Sequence, residues 1–214
     1  MNRFAHLLQA GALAAAALLA GCASAPPDRF YTLAGAAPVP VPAPASASTP
    51  PAATGQLYVE LVPVDVPAQV RRNQLVVGNG GDGRVELLEH HRWAGPLADE
   101  IGHALSLGVT ARLGTIDVYR TPRPDGVRVY RISTNVQRFE SVPGSHALVD
   151  AVWSVRQVGG GTVLTCRSVL REEVGQGYEA LVAGHRAALG KLAEAVAAGV
   201  RDQAAAQPPG VCPR

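Results

Sequence analysis

Hydrophobic and polar positions change period several times along this chain, and each change predicts an element. Leu57, Val59 and Leu61 alternate with Tyr58, Glu60 and Val62, a strand pattern stopped by Pro63 and Pro67. Runs at Gln74–Val77 and Arg84–Leu88 flank the cluster Gly78-Asn79-Gly80-Gly81-Asp82-Gly83, which predicts a hairpin turn. That cluster lacks a Gly-Lys-Ser/Thr ending and a following helix, so it does not read as a phosphate loop. Pro96 then opens a helix in which Leu97, Ile101, Leu105, Val109 and Leu113 form one stripe, with Asp99 and Glu100 near its start, Arg112 near its end and Gly114 as its stop. Four strand-like runs follow. Thr115–Arg120 is short. Val127–Glu140 puts Tyr130, Ile132, Thr134 and Val136 opposite Arg131, Ser133, Asn135 and Gln137. Ala147–Val158 sets Val149, Ala151, Trp153 and Val155 against Asp150, Ser154 and Arg156, and Thr162–Val174 completes the set. Short Pro/Gly turns make the last three an antiparallel meander. Tyr178–Gln203 is a second amphipathic helix, with Leu181, Val182, Leu189, Leu192, Val196 and Val200 on its apolar face and His185 near it. The expected fold is α+β: a largely antiparallel sheet packed by two amphipathic helices in a single domain.

The N-terminus has another logic. Arg3 precedes an apolar run from Leu7 to Ala20, and small residues then lead into Cys22. About 14 apolar residues fall short of the roughly 20 that cross a bilayer. The run is a signal peptide, and Leu19-Ala20-Gly21-Cys22 resembles the lipobox of bacterial lipoproteins. That resemblance implies that residues 1–21 are removed and that Cys22 is acylated, palmitate included, leaving a lipid anchor rather than a spanning helix. The resemblance also carries the sorting rule of enterobacteria-like lipoproteins, in which an Asp after the cysteine retains the protein in the inner membrane; with Ala23 in that place it implies the outer membrane. Residues 22–29 form the lipidated tether and 30–206 the domain. An Ala/Pro-rich loop at 34–55 carries no charge and no aromatic residue, and 207–214 form a flexible tail.

Composition then narrows the chemistry. With 19 Lys+Arg against 17 Asp+Glu the chain is nearly neutral, which argues against nucleic acid as a partner. In an oxidising compartment Cys166 and Cys212 are candidates for a disulfide that would staple the tail to the sheet; a buried Cys166 with an unbridged Cys212 is the alternative. Glu89-His90-His91 is the densest titratable cluster, but adjacent strand residues face opposite ways and do not share a metal. No His-Glu-x-x-His, Cys-x-x-Cys or Gly-x-Ser-x-Gly pattern occurs. The reading is therefore non-enzymatic, with no catalytic, cofactor-binding or metal-binding residue. Arg92-Trp93, just before the first helix, is either an interface anchor or an aromatic plug over the helix start.

Motifs in order along the mature chain carry a family resemblance. They are Arg29-Phe30-Tyr31-Thr32-Leu33, Val62-Pro63-Val64-Asp65-Val66-Pro67, Arg72 with Gln74-Leu75-Val76, and Arg92-Trp93-Ala94-Gly95-Pro96-Leu97. Later come Tyr130-Arg131-Ile132 through Arg138-Phe139-Glu140, Ala151-Val152-Trp153, and Tyr178-Glu179-Ala180-Leu181-Val182-Ala183. Together these resemble the PqiC-like (YmbA-type) lipoproteins, auxiliary components of MCE-type transport systems of the ABC class. The chain departs from the family pattern at Asn73, where proline is usual, at Gly95, where an acidic residue is usual, and in the length of its Ala/Pro insertion. The resemblance implies an outer-membrane lipoprotein facing the periplasm. It would dock a periplasmic MCE-domain protein linked to an inner-membrane transporter component, support lipid transport and membrane integrity, and form a homo-oligomeric ring. It also implies that Phe30–Leu33 is the first strand of the domain. The alternative is an envelope assembly or cell-wall-associated lipoprotein of another class.

Overall fold

Two helices lie on one face of the larger of two sheets, and their apolar stripes explain the arrangement. The computed structural model describes residues 26–35, 57–79, 81–205 and 211–213. Helix α1 (Leu97–Leu113) buries Leu97, Ile101, Leu105 and Val109, none more than 1% exposed. Burial at that i, i+4 spacing is worth about 1.5–3 kcal/mol per side chain. The carbonyl of Pro96 accepts the amides of Asp99 and Glu100, and Gly114, at φ 61°, closes the helix in the left-handed region. Helix α2 (Tyr178–Ala204) buries a wider stripe and packs on both α1 and the sheet. The α1–α2 crossing is close because Gly108 has no side chain: a Cβ there would sit 2.7 Å from that of Ala193.

The strands form two mixed sheets rather than the single one expected. Strands β1 (Arg29–Tyr31), β3 (Gln74–Gly78) and β4 (Val85–Trp93) pair in the order β1-β4-β3, with β1 parallel to β4 and β3 antiparallel to it. Strands β2 (Leu57–Leu61), β5 (Arg128–Val142), β6 (His146–Gln157) and β7 (Val163–Glu173) pair in the order β2-β5-β6-β7. Here β5-β6-β7 is the antiparallel meander, and β2 joins parallel to β5. Strand β1 starts at Arg29, the last residue assigned from sequence to the tether. The segment in which the Ala/Pro stretch falls thus links strands of different sheets.

Three local expectations are corrected. Thr115–Arg120 is not a strand but a loop with one bridge, Val59 to Asp117. The reason is Asp117 itself: its Oδ1 accepts the amides of Leu61 (3.2 Å) and Tyr119 (3.0 Å), and its Oδ2 accepts the Ser106 hydroxyl (2.9 Å), in competition with a ladder. Glu60, expected on a polar face, is 6% exposed because Arg123 and Arg131 cover it. In β5 a bulge between Val136 and Arg138 shifts the inward phase, so that Phe139 and Ser141 follow Val136 into the core.

Candidate interaction surfaces

The Arg92-Trp93 pair divides. Trp93 is 3% exposed and packs edge-on to Phe139 and His185, with centroids 6.1 and 6.4 Å apart. At that burial it has no surface to offer a partner, so the interface reading of Trp93 is corrected; its ring contacts are with β5 and α2. Arg92 stays partly exposed, its Nε donating to the carbonyl of Glu89 (2.8 Å).

The bulge in β5 builds a buried serine–histidine contact that sequence reasoning did not single out. Ser141 Oγ lies 2.8 Å from His185 Nε2, and the imidazole stacks on Phe139 at 3.9 Å. His185 is 0% exposed, and burial, with a smaller contribution from His146, lowers its pKa to about 3. A serine nucleophile needs a histidine basic enough to take its proton and an acid to orient the ring. Here the ring is held neutral, Nδ1 has no partner among the described residues, and Ser141 is 5% exposed. This contact is structural. The two adjacent histidines also separate: His90 Nδ1 meets Asp28 (2.9 Å), while His91 meets the Tyr31 hydroxyl (2.9 Å) and lies against Tyr178. No cluster able to hold a metal occurs among the described residues.

The corner where β1 reaches the start of α2 is polar and tied down. Arg29 and the Tyr31 hydroxyl both approach Glu179 (3.2 and 3.4 Å). Glu100 on α1 accepts the Thr32 hydroxyl (2.7 Å) and the Leu33 amide (2.8 Å), and Arg186 on α2 donates twice to the Thr32 carbonyl. The strand is thereby fixed to both helices. Phe30, in its middle, is 64% exposed.

The other face of the larger sheet, turned away from the helices, carries a row of basic and hydroxyl groups set by register. Glu60, Arg131, Arg156 and Val163 are aligned across four strands, and beside them stand Ser133, Ser154 and Thr165. Two guanidiniums, Arg123 and Arg131, converge on the Glu60 carboxylate, leaving net positive charge. Arg156, directly across from Arg131, is exposed and makes no ion pair among the described residues. Like charges in direct cross-strand register are destabilising. Farther along, Asp150 is 0% exposed under the two-pronged grip of Arg167 (2.9 and 2.7 Å), whose hydrogen bonds hold its carboxyl below the usual range. Sequence periodicity put Arg131 and Arg156 on polar faces; only strand register shows that they meet.

Cys166, on edge strand β7, and Cys212 form a disulfide with Cα atoms 5.6 Å apart. It attaches residues near the C-terminus to the sheet. Cys22 lies outside the described residues. No helix among the described residues is long and apolar enough to cross a membrane.

An α+β domain whose built features are surfaces is the class that this geometry defines. The family model for the ABC-type transport auxiliary lipoprotein component matches residues 40–197. The chain belongs to that family. Among solved structures, one described only as an uncharacterized protein is 14% identical, with a TM-score of 0.61 over 82% of this chain and 99% of its own. Protein XCC0632 from Xanthomonas campestris, of the DUF330 family, is 16% identical, with a TM-score of 0.50 over 66% of this chain and 81% of its own. These likenesses concern the fold. No curated protein matches the chain.

Proposed function

We propose that this auxiliary lipoprotein is held at the periplasmic face of the outer membrane by acylated Cys22. There it docks a periplasmic MCE-type protein reaching across from an inner-membrane transporter component, without chemistry of its own. Leu19-Ala20-Gly21-Cys22 followed by Ala23 supports the anchor and its destination. Family membership supports the association with a transporter. The observation that carries docking is the Arg131–Arg156 pair, two like charges kept in register on an open, hydroxyl-rich sheet face. Such a pair is relieved by an acidic partner, and charge complementarity of this kind steers association and fixes register. Copies arranged around the end of a channel would present the face repeatedly.

A pull-down from solubilised envelopes tests the reading. The wild-type protein is expected to recover an MCE-type protein, and Arg156→Glu to recover much less while folding normally. Recovery of an outer-membrane barrel assembly component, with no MCE-type or permease protein, would favour the assembly class instead. Cys22→Ser is expected to leave the precursor unprocessed by lipoprotein signal peptidase and absent from outer-membrane fractions.

A further inference from the structure

We propose that the corner formed by β1 and the start of α2 rests on the bilayer, with Phe30 seated among the lipid headgroups and upper acyl chains. This deepens the reading above and rests on it, because it takes Cys22 as the acylated residue.

Tether length is the first argument. Phe30 lies eight residues on from Cys22, so their Cα atoms are at most about 29 Å apart even in a fully extended chain. A domain of this size is roughly 40 Å across, judged from the usual scaling of radius with length. The pole of the domain opposite β1 therefore cannot face the membrane without exceeding the tether, which keeps β1 on the membrane-proximal side.

The second argument is what that end displays. Aromatic residues are scarce, at 5% of the chain, yet Phe30, Tyr31 and Tyr178 all belong to this corner. Tyr31 and Tyr178 are half-buried around His91, whereas Phe30 projects into solvent. A cleft of about 610 Å³ opens beside Tyr178 and His91, lined among others by Pro26, Pro27 and Leu87. Leu87 is 38% exposed. Aromatic side chains with an apolar body and a nearby polar rim favour the membrane–water interface.

Rigidity is the third. A loose hydrophobic residue near a terminus would need no explanation. Phe30 instead sits between Arg29 and Tyr31 in a strand parallel to His91–Trp93, and the Tyr31 carbonyl accepts the Ala94 amide (2.7 Å). With Thr32 and Leu33 fastened to Glu100 and Arg186, the backbone at Phe30 is held out from the domain as a fixed wedge. Arg92, its register partner, and Arg29 flank it. The Arg29–Glu179 pair is exposed and weak enough to be exchanged for a lipid phosphate. Acidic groups in the same corner, Asp28, Glu86, Glu89 and Glu179, outnumber these two arginines, so contact depends on aromatic burial and not on attraction between net charges.

The test uses the full lipidated protein reconstituted in phosphatidylethanolamine/phosphatidylglycerol vesicles whose acyl chains are brominated near the headgroup. Phe30→Trp is compared with Val169→Trp on the outer strand β7, where a 54% exposed side chain provides the control. Native Trp93 and Trp153 are buried and give a constant background. Expected is loss of the emission added by Phe30→Trp on brominated vesicles, with none for Val169→Trp, while both variants float with the vesicles. Flotation with equal emission from the two variants, whether Phe30 faces solvent or a protein, overturns this proposal and leaves the anchor standing. Failure of the wild-type protein to float overturns the anchor, and this proposal with it.

Discussion

The buried imidazole of His185 gives the sharpest quantitative expectation. Its pKa falls from 6.5 to about 3 because burial disfavours the charged ring. The folded protein therefore keeps a neutral histidine at pH values where the unfolded chain takes up a proton. Stability from this group is complete above pH 6.5 and is lost as pH falls from 6.5 towards 3. A tenfold difference in proton affinity between the folded and unfolded chain is worth about 1.4 kcal/mol, so the loss reaches about 2 kcal/mol at pH 5 and about 5 kcal/mol in the limit. That first interval isolates the histidine, because the lowered carboxyls of Asp28, Asp82, Asp150 and Glu179 change stability mainly below their ordinary values of 3.8 to 4.5. Urea unfolding followed by the emission of Trp93 and Trp153 measures the effect between pH 7 and about pH 5. The comparison is a double variant, His185→Phe with Ser141→Ala, so that no hydroxyl is left facing an aromatic ring. Its stability should change by about 2 kcal/mol less than the wild type's over this interval, whatever its absolute value. Parallel pH profiles for the two proteins would refute the claim that a dehydrated imidazole sits behind Trp93.

Three further outcomes follow from the packing. Denatured, unreduced protein should show no thiol from Cys166 or Cys212, and Cys212→Ser should lower stability by about 2–4 kcal/mol; two titratable thiols would exclude the bridge. Gly108→Val should cost about 1–3 kcal/mol by urea midpoint, because its Cβ alone would press on Ala193; an unchanged midpoint would mean the helices do not cross so closely. Asp150→Ala should cost about 1–2 kcal/mol at neutral pH, since Arg167 is 63% exposed and returns to water once its partner is gone. Because the Asp150 carboxyl is held below 3.8, this difference should shrink as pH falls through and below that value, and a pH-independent difference would count against the pair.

Local pattern and tertiary contact contributed different parts of this molecule. The i, i+4 stripe from Leu97 to Val109, the stop at Gly114 and the turns of the meander are written in neighbouring residues, because helix and strand periods and left-handed glycines are local properties. The same holds for the lipobox-like run Leu19-Ala20-Gly21-Cys22 and for the motif order that resembles the family to which the chain belongs. Other features depend on partners distant in sequence. A parallel pairing such as β1 on β4 or β2 on β5 leaves no turn signal between its strands, so the split into two sheets was not legible. The bulge at Gln137 inverts the phase of β5, and only then does Ser141 meet His185, 44 residues away. Asp117 left its strand for hydrogen bonds to residues on two other elements, and Trp93 went inside because Phe139 and His185 were there to receive it. The basic face needed both kinds of information: alternation placed Arg131 and Arg156 on the polar side of their strands, while register, a relation between strands rather than within one, set them opposite each other.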